Sequence, residues 1–248
     1  MSVDLGIFIL RKSSLNLAED LAAALSGKIY FANSEPKKYF RSLFKTHSLW
    51  LLVMATGIAV RFVDGLLVDK MTDPGVVVCD EAFRFAIALT GGHEGGANDL
   101  AYKVSATVSS IPVITTATEA LKCLTIGIGT RKGVSVAQIA NAIDLALGER
   151  KLAEVRQLVT VDLKKNEGAI LAYSQENKIP IQIFAVSDLI ARPFAGQLST
   201  WVEQTTGAAA ICEPCALLAS PRGKLICPKF THDGVAVAIV DDTRSTNA

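Results

Sequence analysis

Residues 90–98 read Thr-Gly-Gly-His-Glu-Gly-Gly-Ala-Asn and concentrate more potential chemistry than any other stretch of the chain. Glycines 91, 92, 95 and 96 surround His93. Glycine inside a regular element costs stability, so this cluster serves packing poorly and suits backbone that must approach a ligand. A helical pattern follows, with Ala97, Leu100, Ala101, Val104 and Val108 on one face. Exposed N–H groups at such a helix start, reinforced by the helix dipole, attract anions. An imidazole titrates near neutral pH, so His93 is a candidate general base that Glu94 or Asp99 could orient. The plainer alternative is a sharp turn whose histidine only caps the helix.

Residues 56–61, Thr-Gly-Ile-Ala-Val-Arg, follow an apolar strand pattern, and ligands of parallel sheets collect beyond strand ends. Arg61 could hold a carboxylate there through two parallel hydrogen bonds. The alternative is an ordinary strand-to-helix turn with a solvated arginine. Asp80 and Glu81 fall on a predicted hairpin turn, where adjacent acids usually face water. His47, at the end of an amphipathic helical pattern, and His232, beside a second turn, read as solvated. Cys212 and Cys215 with Cys227 and His232 make a C-x2-C…C-x4-H order that could ligate zinc. Apolar neighbours and Pro214 instead place the pair in a buried helix, where cysteine behaves as a small hydrophobe, and no metal is expected. The chain has no G-x-S-x-G elbow, Walker loop, H-E-x-x-H or dinucleotide fingerprint.

The elements that must position these residues are α/β in pattern. Strands are predicted at 5–10, 28–32 and 49–55, the last wholly apolar as in a parallel sheet covered on both faces. Asn16 with Glu19 reads as a capping box and Gly27 as the helix stop, while Pro36 opens a helix running to Phe44. Runs 75–80 and 83–89 flank a short turn and read as a hairpin; 111–115, containing Pro112, reads as an edge strand. In the second half, 124–129 is a strand leading into Arg131-Lys132-Gly133. Ser135 then caps a helix that Gly148 ends. Strands follow at 158–163 and 181–184, with a closing hairpin from 225–228 and 235–240 and a polar, frayed tail from 241. The fold class is α/β: two lobes of mostly parallel sheet covered by helices, with one hairpin in each, meeting around 116–122.

Composition sets the outer limits. Half of the 248 residues are hydrophobic and 20% are charged, ample for folded cores. Mean hydropathy is +0.35, yet the longest apolar run, 49–60, stops at Arg61 and is too short to span a bilayer. The first residues lack a basic n-region, so no signal peptide and a cytoplasmic location are expected. Net charge is +1 with scattered cations, which argues against nucleic acid. Five cysteines in that setting are expected to be reduced thiols.

Taken together, residues 56–61, Asp73-Pro74 with Val76, Val77 and Val78, Asp80-Glu81 and the run 91–98 resemble the CbiG family of cobalamin biosynthesis. The second half agrees through 127–133 (Gly-Ile-Gly-Thr-Arg-Lys-Gly), 160–164 (Thr-Val-Asp-Leu-Lys) and Pro228-Lys229 before Gly234-Val235. The resemblance implies an N-terminal CbiG-like α/β domain over 1–120 and a C-terminal CbiG/CobE-like α/β domain over 121–248. It implies a hydrolase of the anaerobic, early-cobalt route that opens the δ-lactone of cobalt-precorrin-5A, releases acetaldehyde and leaves cobalt-precorrin-5B. For that reaction His93, Glu94 and Glu81 are the expected catalytic residues. Gly57, Arg61, Gly91, Gly92, Gly95, Gly96, Asn98, Arg131 and Lys132 would then bind substrate. No cofactor or protein-held metal is expected, because cobalt arrives inside the substrate; other corrin-pathway enzymes are the expected partners. A non-catalytic tetrapyrrole-binding or hand-over protein is the alternative.

Overall fold

A computed structural model describes residues 4–162, 167–190 and 211–243. The chain folds as two compact units, 1–116 and 117–248.

In the first unit a sheet has the order β2-β1-β3-β4-β5-β6. Its strands are β1 (Leu5–Ile9), β2 (Lys28–Phe31), β3 (Leu49–Val53), β4 (Gly75–Cys79), β5 (Phe85–Thr90) and β6 (Ile111–Val113). All neighbours run parallel except β4 and β5, the expected hairpin. Side chains alternate across each strand and so feed two cores. Leu5, Ile7, Ile9, Leu51 and Val53 pack beneath α1 (Leu15–Leu25) and α4 (Ala97–Val108). Phe8, Trp50, Leu52, Val76 and Val78 pack beneath α2 (Pro36–Leu43) and α3 (Thr56–Val63). On that second face Phe40 meets Trp50 edge-on at 5.1 Å, and the indole N–H donates to the Phe44 carbonyl at 2.8 Å. Burial on both faces is why these strands read as continuous apolar runs.

Three local expectations are corrected. Helix α1 is entered through a 3₁₀ turn, Lys12–Ser14, so Ser14 holds the N-cap position without a side-chain bond and Asn16 lies inside the first turn. The left-handed residue at its end is Ser26 (φ 56°), not Gly27. Gly27 is small because a Cβ there would lie 2.9 Å from Ile7 Cδ1. His47 is not solvated: its side chain is 10% exposed, Nδ1 meets an Asp4 carboxylate oxygen at 2.5 Å and Nε2 meets the Tyr30 hydroxyl at 2.7 Å.

The second unit opens with the short α5 (Ala117–Ala120) and builds a mixed sheet of order β10-β11-β7-β8-β9. The strands are β7 (Leu124–Thr130), β8 (Val155–Val161), β9 (Ile181–Phe184), β10 (Lys224–His232) and β11 (Val235–Asp241). β7, β8 and β9 are parallel; β11 runs antiparallel to both β7 and β10. Helices α6 (Val136–Leu147) and α7 (Gly168–Asn177) cover one face through Ile139, Ile143, Ile170 and Tyr173. Helices α8 (Val186–Ile190) and α9 (Cys212–Ala219) supply Leu189, Cys215 and Ala216 to the other. Ser135 and Gln138 close the capping box of α6. Strand β8 begins at Val155, earlier than the apolar run suggests, because half-buried Arg156 and buried Gln157 interrupt the hydrophobic signal. The expectations for Leu163, Lys164, the residues just before Ile211 and the tail beyond Thr243 lie outside the described residues.

Two arginines lock β11 into this sheet. Arg150 reaches the carboxylates of Asp241 (2.6 Å) and Glu154 (3.1 Å) and the Cys123 sulfur (3.0 Å). Arg156 Nη2 lies 2.6 Å from Asp242 Oδ2, 2.6 Å from Ser220 Oγ and 2.9 Å from Thr125 Oγ1. Among the described residues no helix is long and apolar enough to cross a membrane.

Candidate functional site

The glycine-rich loop joins β5 to α4 and is built by backbone packed on backbone. A Cβ on Gly75 would sit 2.3 Å from the Gly95 carbonyl oxygen, and one on Gly95 would sit 2.9 Å from the Gly91 oxygen. Gly91 (φ 65°) and Gly96 (φ 76°) also take left-handed backbone, which other residues adopt at a cost. Close packing therefore does call for these glycines, contrary to the expectation from sequence. Gly75, at the start of β4, belongs to the set, and the Pro74-Gly75 pair was its only sequence signal.

The start of α4 is not the open anion site expected. Ala97 N–H donates to the Gly91 carbonyl at 3.1 Å and Asn98 N–H to the Gly92 carbonyl at 2.9 Å. The loop thus caps its own helix. Asn98 is 7% exposed and clamps the loop from below: its amide donates to Thr116 Oγ1 at 3.0 Å, while its Oδ1 is buried without a partner. A Cβ on Gly92 would come within 2.9 Å of that oxygen and 2.7 Å of Thr116 Cγ2. Asn98 is accordingly a positioning residue beneath the loop rather than a surface contact.

On top of this platform His93 is exposed and has no hydrogen-bond partner among the described residues. Glu94 pairs with Lys70 at 3.3 Å, a residue that sequence reading missed. Its own backbone N–H first, then Lys70, hold the Glu94 carboxyl below the usual range, so it is ionised at neutral pH beside the imidazole. A free imidazole next to a fixed carboxylate can accept a proton from water.

The other candidates of this unit stand elsewhere. In the sheet register Leu49 pairs with Gly75, and Val76 with Thr90, so the loop lies at the amino ends of β3 and β4. Glu81 follows the carboxyl end of β4 and pairs with Arg11 at 3.3 Å; the structure does not bring it to His93. Asp80 accepts from the Arg84 side chain (2.8 Å) and from the Arg84 and Phe85 N–H groups. Burial would raise its carboxyl, but these bonds outweigh that and lower it. Gly57 and Arg61 are on α3 itself, not on a turn, and the Arg61 guanidinium donates to the Gly57 carbonyl at 3.2 Å. Arg61 is exposed and forms no ion pair among the described residues.

In the second unit, Arg131 and Lys132 follow β7 and line a hollow of about 460 Å³. Cys212 and Cys215 are fully buried in α9; burial pushes the Cys212 thiol up to about 11 and the Cys215 thiol further, so neither is a ready thiolate ligand. The Cys227 thiol turns to the Pro228 carbonyl and His232 to Asn141. Among the described residues no three His, Cys, Asp or Glu side chains are grouped to hold a metal ion.

Comparison with known proteins places both units. The family model for the cobalamin synthesis G N-terminal region matches 38–119, and that for the cobalamin synthesis G C-terminus matches 124–240. The cobalt-precorrin-5A hydrolase of Salmonella typhimurium is 36% identical over 126 residues, covering 46% of this chain and 36% of that protein. The enzyme of the same name from Priestia megaterium is 39% identical over 93 residues, covering 37% and 25%. The chain thus aligns with about a third or less of these two relatives. A probable cobalt-precorrin-5A hydrolase of Methanocaldococcus jannaschii is 24% identical, covering 95% of this chain and 98% of that protein. With the N-terminal pattern in one unit and the C-terminal pattern in the other, the chain belongs to the CbiG family.

Proposed function

We propose that this chain opens the δ-lactone of cobalt-precorrin-5A and releases acetaldehyde, giving cobalt-precorrin-5B. The observation that carries the reading is the two-unit family match, together with a relative of that name aligned along almost the whole chain. The exposed imidazole on the glycine platform supplies the chemistry. His93 takes a proton from water as the oxygen adds to the lactone carbonyl; the acyl C–O bond then breaks, leaving a carboxylate and an alcohol. Loss of the alcohol proton lets the two-carbon fragment leave as the aldehyde, its C–C bonding pair taken up by the macrocycle carbon, which is then protonated. Loop N–H groups that no helical bond consumes, those of Gly92, His93 and Gly95, are the proposed donors to the developing oxyanion. The sequence of steps is redox-neutral, and the cobalt travels as part of the substrate. Glu81 is not given a part in it.

Anaerobic incubation with cobalt-precorrin-5A, followed by acetaldehyde and product mass, tests the reading. Turnover is expected, and His93→Gln should slow it about a hundredfold or more while leaving substrate binding intact. A wild-type chain that binds the substrate and yields no acetaldehyde would reject hydrolysis.

A further inference from the structure

The hollow beyond β7 carries more than two exposed cations. The turn after β7 is stapled to the β10–β11 turn: Arg131 N–H donates to the Gly234 carbonyl at 2.8 Å and Gln138 Nε2 to the Asp233 carbonyl at 3.1 Å. Asp233 (φ 48°) and Gly234 (φ 80°) give that second turn the left-handed pair typical of a tight hairpin, so both walls are fixed in place. Gly133 (φ 85°) leaves open space between them, with no heavy atom within 4 Å of where a Cβ would be. Arg131 and Lys132 have no ion-pair partner among the described residues, whereas Arg150 and Arg156 at the other end of the sheet are fully engaged. The lining thus holds two free cations against one carboxylate, Asp233, between the carboxyl end of β7 and the β10–β11 turn.

We infer that this hollow is a carboxylate-binding subsite that grips the acidic periphery of a tetrapyrrole through Arg131 and Lys132. The anion chemistry rests on the geometry of this unit; the tetrapyrrole as its source rests on the proposed function. Arg131 takes one carboxylate as a planar fork, and Lys132 adds a mobile point charge for a neighbouring one. Asp233 works against both and sets the upper limit on affinity.

Binding of uroporphyrin, a macrocycle ringed by acetate and propionate groups, tests this without turnover. Porphyrin fluorescence titrations on the full chain at low and raised salt give the readout. Arg131→Gln and Lys132→Gln should each weaken binding about tenfold and flatten its salt dependence. Asp233→Asn, which keeps a residue tolerant of left-handed backbone, should tighten binding several-fold in freshly purified protein. Citrate, a carboxylate source without a macrocycle, should compete only weakly; competition as strong as that of uroporphyrin would overturn the tetrapyrrole assignment. Unchanged affinity in both cation variants, or no tightening in Asp233→Asn, would overturn the subsite. A chain that binds uroporphyrin through these cations but makes no acetaldehyde would instead reject the hydrolase reading and leave the subsite standing.

Discussion

Asp241 ends β11 between opposing influences. Burial raises its carboxyl, but bonds from Thr243 and Arg150 outweigh that and bring it down from 3.8 to about 2. The ionised form is therefore the one the folded protein favours. Its contribution is fully present above the unfolded-state value near 4 and disappears as pH falls toward 2. A shift of this size corresponds to about 2 kcal/mol. Urea unfolding as a function of pH should show that loss, and Asp241→Asn should be less stable at pH 7 by a similar amount with a flatter acid limb. An unchanged acid limb in the variant would show that other carboxylates carry it. His93 is the opposite kind of residue. Its type and glycine neighbours were visible in the sequence, and the structure keeps it exposed on a rigid platform. What the sequence could not show is that the loop carbonyls of Gly91 and Gly92 already occupy the first N–H groups of α4.

At the level of elements, the central strands β1, β3, β4 and β11 were legible because they are buried on both faces and so form unbroken apolar runs. Helix α6 was legible because Ser135 and Gly148 bracket it in the usual way. The start of α1 was not, since a 3₁₀ turn supplies its entry and no side chain caps it. Glycines misled for a related reason: several are required by a neighbour distant in sequence, which no local pattern reveals. Gly127 is the clearest case. A Cβ on this β7 residue would fall 1.8 Å from the Cys212 carbonyl oxygen, so α9 lies directly on the strand's backbone. Backbone cannot step aside as a flexible side chain can. Gly127→Ala should force α9 off the sheet and cost about 3 kcal/mol, the upper part of the usual range for overpacking. Calorimetry of the variant checks this; a melting temperature within a degree of wild type (about 1 °C, well under the shift this cost implies) would show that the helix has slack.

For the molecule as a whole, the division into two units was visible as two successive α/β patterns, while the separation of Glu81 from His93 was not. That separation follows from sheet register: one antiparallel step, β4 to β5, sends the chain back to the amino ends of its neighbours. Register depends on pairing partners that a single sequence does not announce. The second sheet has its own long-range dependence, since β7 opens it and β11 fills the place beside β7, Leu124 against Asp241 and Thr130 against Val235. During synthesis on the ribosome, β7 emerges long before its partner exists, so one side of a wholly buried strand must wait while the intervening chain is made. The first unit can close in that interval and the second cannot, which makes the nascent second unit the aggregation-prone stage of this protein's production. A chain stopped after Arg222, lacking both β10 and β11, should accumulate as insoluble material while the full chain stays in solution. A soluble truncated chain with native circular dichroism would show that β7 tolerates an open flank.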